Sequence, residues 1–222
     1  MEGMGLFRLA TLVILAQALA HEQKMHFDEC APGRLPPNWS VAMTHEGFPP
    51  RWEVVRDETA PTRPLVFAQL SRDATAGRFP LAIWDRASLR DGEVRVAFKT
   101  ISGAVDQAAG LVWRYTDSNN YYIARANALE NNVVLYKVEK GIRQSIAPKG
   151  LPSRAYGVKH RVPSGVWTSL RVSFTGSLFQ VFLNDERLFE AEDHTFASPG
   201  KTGLWTKADS VTYFDDFEVS GR

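Results

Sequence analysis

Short runs of alternating apolar and polar residues, separated by turn residues, recur along the chain from Gly92 onward. In Gly92-Glu93-Val94-Arg95-Val96-Ala97-Phe98-Lys99, Val94, Val96 and Phe98 share one side and Arg95 and Lys99 the other. That period of two is the mark of a half-buried strand. Gly110 to Tyr115 is the next predicted strand, closed by Thr116-Asp117-Ser118-Asn119-Asn120. Tyr121 to Ala128 and Val133 to Val138 predict a hairpin across Leu129-Glu130-Asn131-Asn132. In Trp167 to Phe174, Leu170, Val172 and Phe174 alternate with Ser169, Arg171 and Ser173. A second hairpin follows, Leu178 to Leu183 and Arg187 to Glu190 about the turn Asn184-Asp185-Glu186. The closing strands are Thr202 to Thr206 and Val211 to Val219.

Residues 28–90 read differently. Pro32, Pro36, Pro37, Pro49, Pro50, Pro61 and Pro64 argue against regular central strands there. Trp39, Trp52 and Trp84 nevertheless predict that this stretch packs onto the sheets. No long segment past the first 20 residues has helical apolar periodicity. Many short strands with tight turns predict an all-β, antiparallel sandwich of the jelly-roll type, one domain over residues 21–222.

The opening residues change the picture of where such a domain works. Arg8, the apolar run Leu9 to Ala16 and the Ala18-Leu19-Ala20 end are the three parts of a secretory leader. A spanning helix needs about 20 apolar residues. Leu9 to Ala20 is shorter and includes Gln17, so residues 1–20 are expected to be a cleaved signal peptide rather than an anchor. Secretion or a periplasmic location follows, with no membrane attachment after cleavage. With 26 Lys and Arg against 25 Asp and Glu, the chain has a net charge of +1 and no electrostatic footprint for nucleic acid. The single cysteine, Cys30, cannot form an internal disulfide and reads as a packed residue, not a nucleophile. Stability must come from the core, which 44% hydrophobic residues can supply. Asn38-Trp39-Ser40 matches a glycosylation acceptor, of consequence only in a eukaryotic secretory route.

Four constellations could carry chemistry. On the strand from Tyr121, period two puts Tyr121, Arg125 and Asn127 on one face, with Arg114 and Lys137 on neighbouring strands. Arginine, amide and aromatic side chains together suit sugar hydroxyls and a sugar ring; cross-strand pairing of the arginines with acids is the alternative. Trp205 and Lys207 likewise share a face before a turn carrying Asp209, an arrangement that suits a saccharide. Trp205 as core and Asp209 as a turn cap is the competing reading. Glu130, Asp193, His194, Asp209, Asp215 and Asp216 are the acids and base from which a catalytic set could be drawn, with Glu130, His194 and Asp209 the leading candidates. In Phe214-Asp215-Asp216-Phe217, alternation places Asp215 with Phe217 and Asp216 with Phe214, so one acid is semi-buried and needs a donor or cation. If the first and last strands pair, Asp28 joins Asp215 and Asp216 as hard oxygen ligands for Ca²⁺ or another divalent cation. An arginine or backbone partner is the alternative.

Four stretches carry a family resemblance: Gly110 to Tyr115, Asp117 to Arg125, Asn131 to Val138 and Gly200 to Ser210. With the closing Phe214-Asp215-Asp216-Phe217-Glu218-Val219, the chain resembles exported bacterial proteins of the DUF1080 type. That family is labelled 3-keto-disaccharide hydrolase and is often grouped loosely with family 16 glycoside hydrolases. The resemblance implies a concanavalin A-like, laminin G-like jelly roll. It also implies an activity on 3-keto-glycosides, where a carbonyl acidifies the neighbouring C–H and one base plus an oxyanion stabiliser suffice. The Glu-x-Asp-x-x-Glu signature of family 16 is absent. The leading expectation is therefore a lectin-like sandwich that recognises carbohydrate. A 3-keto-glycoside hydrolase or lyase is the alternative, and a non-catalytic protein-interaction module the second.

Overall fold

A computed structural model describes residues 21–222; the expected leader, residues 1–20, lies outside the described residues. In chain order the strands are β1 (His21–Met25), β2 (Trp39–Thr44), β3 (Trp52–Arg56), β4 (Leu65–Gln69), β5 (Phe79–Leu89) and β6 (Gly92–Ser102). There follow β7 (Ala108–Asp117), β8 (Asn120–Asn127), β9 (Asn132–Glu139), β10 (Ile142–Ile146) and β11 (Val158–Lys159). The last are β12 (Thr168–Thr175), β13 (Leu178–Leu183), β14 (Glu186–Glu192), β15 (Gly200–Trp205) and β16 (Val211–Gly221).

They form two antiparallel sheets. The first runs β14-β13-β12-β6-β16-β4-β3, with β1 also on β16; the second runs β10-β9-β8-β7-β15-β5-β2, with β11 also on β9. The expected all-β sandwich is the observed architecture. Among the described residues no helix is long and apolar enough to cross a membrane.

The interior follows from the alternation. Val94, Val96 and Phe98 of β6 meet Leu111 and Trp113 of β7 and Tyr122, Ala124 and Ala126 of β8 in one continuous core. Trp113 stacks on Tyr122 at 5.3 Å and meets Phe179 edge-on at the same separation. Aromatic pairs of this kind add about 0.5–1.5 kcal/mol each beyond their buried area.

The proline-rich segment is more regular than its composition predicts. β2 and β3 occupy sheet edges, but β4 lies between β16 and β3, and β5 between β15 and β2. Most of the prolines fall between these strands, where no ladder N–H is required. As expected, the tryptophans seal this part onto the sandwich: Trp39 lies 5.4 Å from Trp84 and 5.0 Å from Phe217, and Trp52 lies 5.1 Å from Phe67.

Strand β16 departs from strict alternation. Its N-terminal half pairs with β4 and its C-terminal half with β1, and the register against β6 shifts between Asp215 and Glu218. Asp216, at φ 49°, is the extra residue of a bulge. The bulge lets Phe214 and Phe217 both enter the core, which a period of two forbids. Asp215 therefore does not share the face of Phe217, and it is fully buried on its own side.

Candidate functional site

The second sheet has apolar residues on both faces. Its outer face, turned from the sandwich interior, carries Phe79 and Leu81 of β5, Val112 of β7, Tyr121 and Ile123 of β8, Val134 and Tyr136 of β9, and Trp205 of β15. Trp205 is opposite Gly110 on β7, and a β-carbon at Gly110 would lie 3.1 Å from the indole and 3.1 Å from Ile123. Glycine there gives the large ring room to lie flat on the sheet.

Edge strand β10 brings Arg143 onto this floor, in register with Val138. Its guanidinium carbon sits 4.6 Å from the ring centre of Tyr136, 4.8 Å from Phe79 and 5.9 Å from Trp205. Stacking of this kind stabilises a cation without neutralising it. Among the described residues no carboxylate lies within 4.0 Å of Arg143, and its buried Nη1 has no hydrogen-bond partner. The turn that introduces β10 is tied down by His45, whose ring nitrogens lie 2.7 Å from the Gly77 carbonyl and 2.8 Å from that of Gly141. On the other side of Tyr136 the Arg125 guanidinium carbon lies 5.4 Å away. Tyr156 covers Tyr136 and Arg125, with its hydroxyl bonded to that of Tyr136 and about half its surface exposed, at 49%. Burial pushes the Tyr136 hydroxyl above its ordinary pKa, so it remains a neutral partner.

A chain of polar groups runs along one end of the face. Lys207 reaches Asp106 at 2.5 Å, and Asp106 accepts from the Asn127 amide at 2.5 Å. Asn127 also approaches Glu130 at 3.3 Å. Arg125 donates to Glu130 at 3.0 and 3.3 Å and to Asn132 at 2.7 Å. Burial pushes Glu130 upward, but the hydrogen bonds and charge of Arg125, helped by Asn132, hold its carboxyl below the usual range. Glu130 keeps 39% of its side chain exposed, whereas Arg125 has none. The structure thus brings Arg125, Asn127, Glu130 and Lys207 into one network. It adds Asp106, Asn132, Tyr136, Arg143 and Tyr156, which sequence reasoning did not single out. The signal for Tyr136 was its two-residue spacing from Val134 and Val138; β10, Ile-Arg-Gln-Ser-Ile, offers little alternation to find Arg143 by.

The remaining candidates have other work. Trp205 and Tyr121 are wholly buried, so they form the floor rather than a surface for a ring. Tyr121 bonds to Thr44 at 2.6 Å. Arg114 is not on this face: its guanidinium lies over Phe174 and Phe179 and donates to the carbonyls of Arg90, Gly176 and Phe196. It clamps three loops. Lys137 bonds to Thr195 at 2.7 Å and lies 3.4 Å from Asp193, on the opposite side of β9 from Tyr136. Asp209 caps the turn at residues 104–106, accepting from the N–H groups of Ala104 at 2.6 Å, Val105 at 3.1 Å and Asp106 at 3.0 Å. Burial raises it, and those backbone donors more than reverse the shift. His194 is largely exposed, 3.4 Å from Glu192. Cys30 packs partly buried against the core.

β1 and β16 do pair, and His26, Asp215 and Asp216 offer ligand atoms within 4.8 Å of one another. Asp28 is not in that group; its carboxylate accepts from the Leu65 N–H at 2.9 Å. Asp215 accepts from the N–H of Thr62 at 2.9 Å, its hydroxyl at 2.8 and 2.9 Å, and the Asp216 N–H at 2.9 Å. Asp216 faces His26 at 2.8 Å and the Lys24 ammonium at 3.5 Å. Calcium takes six to eight oxygen ligands. Asp215 is already engaged by protein donors, whereas the buried Asp216 Oδ1 has no hydrogen-bond partner and faces the Lys24 ammonium and the His26 ring. Among the described residues the cluster offers two carboxylates and an imidazole, fewer oxygen ligands than calcium takes, and Asp28 is not among them.

No family model and no curated protein matches the chain, so the DUF1080 resemblance rests on the quoted stretches alone. Solved structures do match. The carbohydrate binding module CBM66 from Bacillus subtilis superposes with a TM-score of 0.61 at 21% identity, over 82% of this chain and 94% of that one. The chain is a jelly-roll β-sandwich. The cellulose induced protein Cip1 gives 0.62 at 10% identity, covering 90% and 97%. Domain 4 of an extracellular GH43 arabinanase from Geobacillus stearothermophilus, in complex with arabinotriose, gives 0.54 at 12%, covering 89% and 90%. At these identities the likeness is one of fold.

Proposed function

We propose that this jelly roll is a carbohydrate-binding protein whose ligand lies on the outer face of the second sheet, against Tyr156, Arg143 and Glu130. The observation that carries the reading is Arg143: a half-buried guanidinium stacked on Tyr136 and Phe79 with no carboxylate partner. Such a group is oriented before any ligand arrives, and pre-organised planar donors beside an aromatic ring suit vicinal sugar hydroxyls. The names of the structural neighbours, a carbohydrate binding module and an arabinanase domain holding arabinotriose, support the same class of ligand. With this reading goes export through a leader at residues 1–20.

A 3-keto-glycoside enzyme would need a base free to take a proton next to an oxyanion stabiliser. Glu130 and Asp209 are each held in the ionised form by their own donors, and His194 stands apart on an exposed turn. Binding without turnover is the better-supported role. The test is a glycan array probed with the purified protein and with Tyr156→Ala. Retention of one glycan class by the wild type, reduced in the variant, is expected; identical profiles would place the ligand elsewhere.

A further inference from the structure

Arg143 on this face and Lys159 and Arg161 at its Glu130 end belong to a stretch of chain whose basic residues are not balanced by acids. From Lys140 to Asn184 the chain contains no Asp or Glu, and the stretch up to Arg161 carries Lys140, Arg143, Lys149, Arg154, Lys159 and Arg161. Of these, among the described residues, only Lys149 lies within 4.0 Å of a carboxylate, Glu192 at 3.6 Å. Lys159 donates instead to the backbone carbonyl of Glu130 at 3.1 Å. It joins His160 and Arg161 around a shallow depression of about 540 Å³ at the Glu130 end of the face. The one acid there, Glu130, already serves Arg125. Beyond Tyr136, Arg143 has no carboxylate within 4.0 Å among the described residues, and its buried Nη1 has no hydrogen-bond partner.

A neutral sugar has no use for this surplus. Hydroxyls bond equally well to amides and to arginines neutralised by carboxylates, and an unpaired guanidinium packed on rings costs stability through desolvation. The surplus is accounted for if the ligand supplies the missing negative charge. Resting on the reading of this face as a sugar site, we infer that its ligand is an acidic oligosaccharide, with one anionic group paired to the Arg143 guanidinium and a second over the Lys159–Arg161 depression. Carboxylate and sulfate esters share the chemistry that recognises a planar guanidinium through paired oxygens.

The test is binding of the purified protein to oligogalacturonates, oligoalginates, their carboxyl-reduced counterparts, a sulfated oligosaccharide and neutral glucans. Titrations are run at about 50 mM and about 500 mM salt. At least one acidic probe is expected to bind about tenfold more tightly than its neutral counterpart, with the preference shrinking at high salt. Arg143→Gln and, separately, Arg161→Gln are expected to lower that preference without moving the thermal midpoint of Arg161→Gln. Preference among the carboxylate and sulfate probes identifies which group is read. Equal or tighter binding of the neutral probes would overturn the inference while leaving a sugar site on this face. No binding of any probe would overturn both.

Discussion

Trp205 lies flat on Gly110: the two are register partners on β15 and β7, and the glycine's missing β-carbon is the space the indole fills. The floor under Arg143 depends on that contact, because Trp205 and Phe79 are 5.3 Å apart and support the guanidinium together.

Gly110→Ala should therefore lift the indole or push Ile123. Overpacking of this kind costs about 1–3 kcal/mol. Urea denaturation should show a lower midpoint, and an unchanged midpoint would mean the ring has room to spare.

Glu130 and Arg125 give a pH dependence of definite sign. The folded-state pKa of Glu130 is depressed, so its contribution is present above the unfolded value and is lost as pH falls through the folded one. Glu130→Gln leaves a buried arginine without its charge partner. Because Glu130 is part exposed, solvent screening reduces the loss to about 1–3 kcal/mol at neutral pH. The gap between wild type and variant, followed by denaturation from about pH 6 to about pH 3, should narrow with acidification. A constant gap would contradict the pairing.

Asp215 works in the opposite direction. Burial raises its pKa, and the bonds from Thr62 and Asp216 only partly offset that. Stability from this group falls as pH rises through its folded pKa. The stability of wild type minus that of Asp215→Asn should thus decrease between about pH 4 and about pH 7. An increase would mean the carboxylate is better solvated, or better paired, than its burial indicates.

Calcium should have no effect on the thermal midpoint of chelator-treated protein, since Asp216 is already faced by His26 and Lys24. A rise in melting temperature with Ca²⁺ would require those two side chains to give way to the ion.

Much of this fold was legible in the chain. The meander β12–β13–β14 follows from alternation with polar turns, because each strand has one face in the core and the other toward polar surroundings. The hairpin β8–β9 is buried on both faces and was legible from its two apolar runs and the polar turn between them. β4 and β5 were not legible: apolar on both faces, Leu-Val-Phe-Ala-Gln and the start of Phe-Pro-Leu-Ala-Ile-Trp give no period. The bulge in β16 was hidden because Phe214 and Phe217 read as opposite faces until one residue is looped out. Of the site, Arg125, Asn127, Glu130 and Lys207 could be found from shared faces and charge. Asp106 and Arg143 could not, since one sits in a loop and the other on an edge strand whose partner fixes its direction. Arg114 misled for a related reason: at φ 49° it lies within the register shift of β7 between Trp113 and Asp117, so period two no longer says which way it points.

Amide shift mapping during titration with a glycan retained on the array tests the central claim most directly. Perturbations confined to Arg143, Tyr156 and the Glu130 turn are predicted, and their loss in Tyr156→Ala would follow. Perturbations on the outer face of the first sheet, around Arg95 and Trp167, would contradict the assignment of the ligand to the second.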